Sequence, residues 1–175
     1  METNAKKPTL KSIQDKIVGH HFADALADLS RVLQSEPENV EALYKRAVCH
    51  RYTRDFDAAL DAIQALKTIA PEHGRAHQEE GHTCRDMGRG EDALRAYERA
   101  TRFNPALVAS WKEQLAILSR SGRQRQAEVV AAQLDMLQNL PPALLGVIDL
   151  IAQGRILKAE EICRQFLQKV PHHVE

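Results

Sequence analysis

Net charge of either sign is the first thing this sequence lacks. Lys plus Arg number 24 and Asp plus Glu 24 among 175 residues, giving a formal charge of zero. The broad basic field of a phosphate-backbone binder is therefore missing, and nucleic acid is not expected as a partner. Cysteine is scarce too. Cys49, Cys84 and Cys163 are an odd number, set far apart with no C-x-x-C spacing, which suits reduced thiols in a reducing compartment better than a disulfide framework. Nor is there a long hydrophobic run. The longest, ALLGVIDLIA at 143–152, is interrupted by Asp149 and is about half a membrane span. The N-terminal METNAKKPTLKSIQDK has no apolar core of the kind a secretion signal needs. These absences lead us to expect a cytoplasmic protein with no membrane partner. With 43% hydrophobic residues, the chain can build a core without disulfides or metal.

What is present is a period. Pro37, Pro71 and Pro105 lie 34 residues apart, each closing a similar segment: FADALADLSRVLQSEP, FDAALDAIQALKTIAP and GEDALRAYERATRFNP. Ala25, Ala59, Ala93 and Ala127 step by the same 34, small residues suited to the close approach of two helices. Gly88 and Gly122 repeat it at the turns, with Gly154 and Ala159 following after a slightly compressed interval of 32. A fixed spacing of this size marks a repeat architecture. Five helix pairs are predicted, near 10–19 and 22–35, 40–53 and 56–69, 74–87 and 90–103, 108–121 and 124–138, and 141–153 and 156–169. No strand is expected.

These residues resemble the tetratricopeptide repeat (TPR), whose pattern pairs W-x2-L-G-x2-Y with a later A-x3-F and a closing proline. The third unit carries Gly81, Gly88, Ala93, Tyr97, Ala100 and Pro105, and the fourth supplies Trp111 at the tryptophan place. The fourth unit departs from the pattern by lacking the closing proline at Asn139, and the first unit's opening helix matches only through Leu10, Ile13 and Ile17. The resemblance implies an all-α fold, a right-handed solenoid of about five helix-turn-helix repeats. Their bounds would be about 6–39, 40–73, 74–107, 108–139 and 140–173, in a single domain over 1–175. Each hairpin has an apolar face that only its neighbours can cover. Val174 and Glu175 repeat the Val40–Glu41 pair that opens the second unit, so the sequence is expected to stop as a further repeat would begin.

Positions separated by four and then three residues on each first helix form one stripe: Tyr44, Val48 and Arg51; Gln78, His82 and Arg85; Lys112, Ala116 and Ser119. The resemblance implies that these face a bound polypeptide. Lys45, Arg75 and Arg120 add positive charge nearby, diluted by Glu41, Glu79, Asp86 and Glu113. A protein or peptide partner with acidic groups is the preferred reading against simple solvated helix faces. The lysine and asparagine clamp of chaperone-binding TPR domains has Tyr44 and Val48 in its places here, so chaperone tails are not supported. In the fifth unit Leu144, Leu145, Val147, Ile148, Leu150 and Ile151 make the first helix apolar nearly all round. Its surface, through Leu144, Leu145, Ile148 and Ile151, is either covered by further repeats or the superhelix interior, or is a groove or a self-association surface that would form a homodimer. Arg46, Glu80 and Gln114 form a polar ladder at the 34-residue spacing, and Arg46 is expected to pair with Glu80.

Chemistry finds no foothold. His73, His77, His82 and Cys84 suggest metal ligands, yet His77 and His82 are five apart and point to different sides of one helix, so no metal or cofactor is expected. His172 and His173 are expected to be exposed. GRGEDA at 88–93 joins two helices and lacks the strand and lysine of a phosphate loop. No G-x-S-x-G or H-E-x-x-H occurs, no catalytic residue is assigned, and this chain is not expected to be an enzyme. Residues 76–111 and 140–175 are also similar to the N-terminal repeats of bacterial TPR-containing sulfotransferases. That resemblance implies a downstream catalytic domain using an activated sulfate donor, none of which lies in these residues. Three functions follow as expectations: a peptide-binding interaction module, the substrate-recruiting front of a sulfotransferase, and a self-associating scaffold.

Overall fold

A computed structural model describes residues 8–169 of the chain. Ten α-helices follow one another: α1 (Leu10–Val18), α2 (Phe22–Ser35), α3 (Val40–Tyr52), α4 (Phe56–Ile69), α5 (Gly74–Asp86), α6 (Gly90–Phe103), α7 (Val108–Arg120), α8 (Gln124–Asn139), α9 (Pro142–Ala152) and α10 (Ile156–Lys169). No strand occurs among the described residues. His172, His173, Val174 and Glu175 lie outside them.

The punctuation is local chemistry. Glu36, Ala70 and Asn104, the residues before Pro37, Pro71 and Pro105, have φ of −138°, −133° and −141°. The following pyrrolidine ring disfavours helical backbone there, so α2, α4 and α6 stop at equivalent places. With no proline at Asn139, α8 runs on to 16 residues where those three have 14. Helix starts are held by Thr9, Asn39, Asp55 and His73, whose side chains accept the N–H three residues on. Each hairpin turn passes through a left-handed residue: Gly88, Gly122 and Gly154 at φ of 76°, 70° and 71°, but His20 and Arg54 at 61° and 63°.

Two compact units divide between Glu72 and His73. In the first, α3 packs along both α2 and α4. Ile13, Ala25, Leu29, Ala42, Ala47, Ala59, Ala62 and Leu66 are fully covered there. Asp28, only 4% exposed, accepts hydrogen bonds from Lys16 and Arg31, the pairing a buried carboxylate requires. In the second unit α6 packs along α5 and α7, and α7 along α8. The repeating alanines do what their size allows, since Ala93, Ala127 and Ala159 are 0, 4 and 3% exposed. Gly81 has the same role at closer range: a Cβ there would stand 2.5 Å from the Tyr97 ring.

The last pair is set differently. The axis turns through 113° between α8 and α9, and α9 packs along α10 with no comparable seam along α8. Leu140, Pro141 and Pro142 form this elbow, with Pro141 at the N-cap and Pro142 opening α9, a position where proline's missing N–H costs nothing. Of the polar ladder, Arg46 belongs to the first unit and Glu80 and Gln114 to the second. Gln114, 3% exposed, donates to Tyr97 O at 3.1 Å and Thr101 Oγ1 at 2.9 Å, so its burial is satisfied within its own unit.

Candidate partner-binding faces

On α3, Tyr44, Val48 and Arg51 are half-buried along one face. The Arg51 guanidinium lies 4.5 Å from the Tyr52 ring centroid, and that ring stacks on Phe22 at 5.1 Å. Lys45 stands apart from the other predicted cations because it is only 7% exposed. Its ammonium donates to Gln14 Oε1 and lies 3.2 Å from Glu41 Oε1. Burial demands such partners, and they engage its charge inside the unit.

In the second unit the side chains of α5 reach those of α7. Gln78 Nε2 donates to Ser110 Oγ at 3.0 Å, and Arg85 donates to Asp86 Oδ1 at 2.8 Å and to Glu113 Oε1 at 2.5 Å. His82 Nδ1 stands 2.8 Å from the Tyr97 hydroxyl, whereas His77 is stacked on Phe103 with centroids 5.3 Å apart. The two histidines thus serve different neighbours, and no cluster of His, Cys, Asp and Glu suited to a metal ion occurs among the described residues. Lys112, Ala116, Ser119 and Arg120 lie along α7, and all four are exposed. Arg120 Nε donates to its own helix at Ala116 O. Arg85 and Arg120 share a cavity of about 440 Å³ between the two hairpin turns, floored by Ile117 and rimmed by Glu91.

Arg75, at the start of α5, does not sit free. Its Nη2 donates to Asp149 Oδ2 at 2.8 Å while Asn104 Nδ2 donates to Asp149 Oδ1 at 2.7 Å. Asn104 is 3% exposed, and its own Oδ1 accepts the Ala106 N–H at 3.0 Å, which leaves its amino group facing the carboxylate. Burial works against the Asp149 charge, but the hydrogen bonds from Asn104 and Gln153 and the Arg75 guanidinium outweigh it and hold its carboxyl below the usual carboxylate range. Neither Asn104 nor Asp149 was among the site residues expected from the sequence. The available signal was an acid interrupting an otherwise apolar helix.

In the fifth pair Val147, Leu150 and Ala159 form a small core with Ile162 and Cys163. Leu144, Leu145 and Ile148 are half-buried, while Ile151 is 52% and Leu157 83% exposed. A cleft of about 370 Å³ opens between Leu140, Pro141 and Leu144 on one side and Cys163, Phe166 and Leu167 on the other. No single helix among the described residues is long and apolar enough to cross a membrane.

Residues 13–73 match the family model of the tetratricopeptide repeat. A crystal structure of MamA protein superposes with a TM-score of 0.63 at 15% identity, over 93% of this chain and 92% of that one. The chain has the tetratricopeptide-repeat fold. A thermophilic TPR protein of Thermus thermophilus agrees, with a TM-score of 0.61 at 20% identity over 94% of this chain and 91% of that one. So does a MamA fragment from Desulfovibrio magneticus, with 0.64 at 16% over 74% and 73%. Such identities establish the TPR fold alone. A small glutamine-rich TPR-containing protein of Mycosarcoma maydis is 25% identical over 127 residues, 69% of this chain. The chain spans 36% of that relative's length.

Proposed function

We propose that the chain is a protein-protein interaction module that receives a polypeptide with acidic side chains on the first-helix faces of its TPR repeats. The observation that carries this reading is the second-unit face. Lys112 and Arg120 are exposed on α7, and Arg120 lines an open cavity together with Arg85, whose guanidinium is held by Asp86 and Glu113. A carboxylate entering there meets fixed guanidinium groups at partial desolvation, where charge-assisted hydrogen bonds are strongest. The relatives with the same fold include proteins named for their TPR repeats, and that architecture recurs as a binding scaffold.

The test is binding of an acidic peptide library to the wild-type chain and to Arg51→Glu and Arg85→Glu. Charge reversal at Arg85 is expected to weaken the best acidic ligands by about tenfold or more, since a desolvated charge pair is worth at least ~1.4 kcal/mol. Unchanged affinities in both variants would remove the reading. Self-association through the fifth pair is the second reading, favoured by the exposure of Ile151 and Leu157. The recruiting region of a sulfotransferase is a third, resting on the sequence resemblance; sulfate transfer to captured partners by a longer product of the same gene would test it.

A further inference from the structure

We propose that Arg75 and Asn104 form a carboxylate-receiving site whose resident ligand is the chain's own Asp149, and that an acidic side chain of a partner polypeptide displaces it. The inference rests on reading the α5 face as partner-facing. It goes further in naming a site, its chemistry and its built-in competitor.

Three observations carry it. Both oxygens of Asp149 are taken, one by each donor, the two-point geometry by which a carboxylate is recognised rather than merely attracted. The donors are fixed in advance: Asn104 is nearly fully buried, and the Ala106 N–H determines which end of its amide faces outward. The pair is also particular to the third repeat. The equivalents of Arg75 are Glu41 and Ala109, and those of Asn104 are Glu36, Ala70 and Gln138, so no other repeat joins an arginine at the first place to an amide at the second.

The resident is held loosely. None of the helices α5 to α8 packs extensively along α9, so its placement depends on the elbow at 140–142 and on this polar grip. The Arg75 side chain is 44% and that of Asp149 26% exposed. Ion pairs open to water to that degree are weak, and a competing carboxylate reaches the guanidinium without opening the core. Asp149 lies between Ile148 and Leu150, so the resident itself shows the class of segment that fits: an acidic residue flanked by apolar ones. A bound partner would free the α9–α10 pair from the α5 end, and an unoccupied site would be closed by it.

The experiment uses a fluorescein-labelled peptide copying residues 142–153 with a solubilising lysine tail, and its Asp-to-Asn counterpart, titrated against the full chain. Wild type, Asp149→Ala and Asp149→Asn are compared, each with and without Arg75→Gln. Asp149→Asn keeps the side-chain size, and amide exchange of α5–α8 verifies folding. The acidic peptide is expected to bind both Asp149 variants roughly tenfold tighter than wild type, because the competing closed state is removed. Arg75→Gln is expected to abolish that gain, and the Asn peptide to show none. Equal binding to wild type and the Asp149 variants, or a gain that survives Arg75→Gln, would overturn the proposal. The Arg85→Glu comparison bears on the broader peptide-binding reading and does not enter this one.

Discussion

His73 holds the first turn of α5 with a ring nitrogen: its Nδ1 accepts the Ala76 N–H at 3.1 Å, which an unprotonated nitrogen alone can do. Burial first, and then the positive charge of Arg75, hold its pKa below the ordinary 6.5. A histidine depressed in the folded state contributes stability that is complete above the unfolded value and declines as pH falls through the folded one. The thermal midpoint is therefore expected to drop as pH is lowered from about 7 to 5. His73→Asn, whose side-chain oxygen caps at any pH, should make that dependence shallower. A second residue-scale expectation concerns Arg54. Its φ of 63° is a conformation that costs a residue with a Cβ about 1–2 kcal/mol, and its cation–π contact with Phe56 at 5.6 Å returns part of that. Arg54→Gly should stabilise the chain by about 0.5–1 kcal/mol in urea unfolding. His20 and Arg54 stand 68 and 34 residues before Gly88, so their place at the turn could be read from the spacing. Their strain could not, because neither residue type announces it.

Among the elements, the α5–α6 hairpin is the tightest. Gly81 lets the Tyr97 ring lie against the helix backbone, and the ring's hydroxyl is in turn engaged by His82. Gly81→Ala would force the ring aside and is expected to cost about 1–3 kcal/mol. Tyr97→Phe keeps the packing and gives up that hydrogen bond, for about 1 kcal/mol. Urea unfolding of the two variants should separate the effects, and a larger loss in Tyr97→Phe would contradict the ordering. At this scale the sequence was highly informative: helix ends fall within about a residue or two of those expected, because prolines, glycines and capping side chains act on neighbours only. The angle of α9 was not legible. Periodicity shows that an apolar helix follows Leu140, but the turn depends on what the side chains of that helix meet many residues away.

For the molecule as a whole, the formal charge of zero provides little repulsion between copies, and three exposed apolar residues, Ile151, Ile156 and Leu157, stand within seven positions of one another around the α9–α10 turn, while Val18, Tyr52, Val129 and Met136 are exposed elsewhere. Light scattering is expected to show mass rising with concentration, and Ile151→Lys with Leu157→Lys to suppress the rise. A constant monomer mass in the wild type would remove self-association. The division between Glu72 and His73 was hidden from sequence reading, since the 34-residue period runs through it unbroken. The candidate faces were half legible. Spacing picks out Gln78, His82 and Arg85 as neighbours on one helix, whereas hydrogen-bond partners of the buried or anchored cations come from afar, Gln14 accepting from Lys45 and Asp149 from Arg75.

The two prolines at 141 and 142 carry a mechanical consequence. Ring closure fixes φ at both, and each also restricts the residue before it, so the connection to the final helices has very few torsions left to turn. Motion there would resemble a stiff arm on a narrow pivot: once its far anchor lets go, α9 and α10 would swing together instead of unravelling residue by residue. While that anchor holds, tension applied to the C-terminal pair would bear on the Arg75–Asp149 contact instead of being absorbed at the elbow.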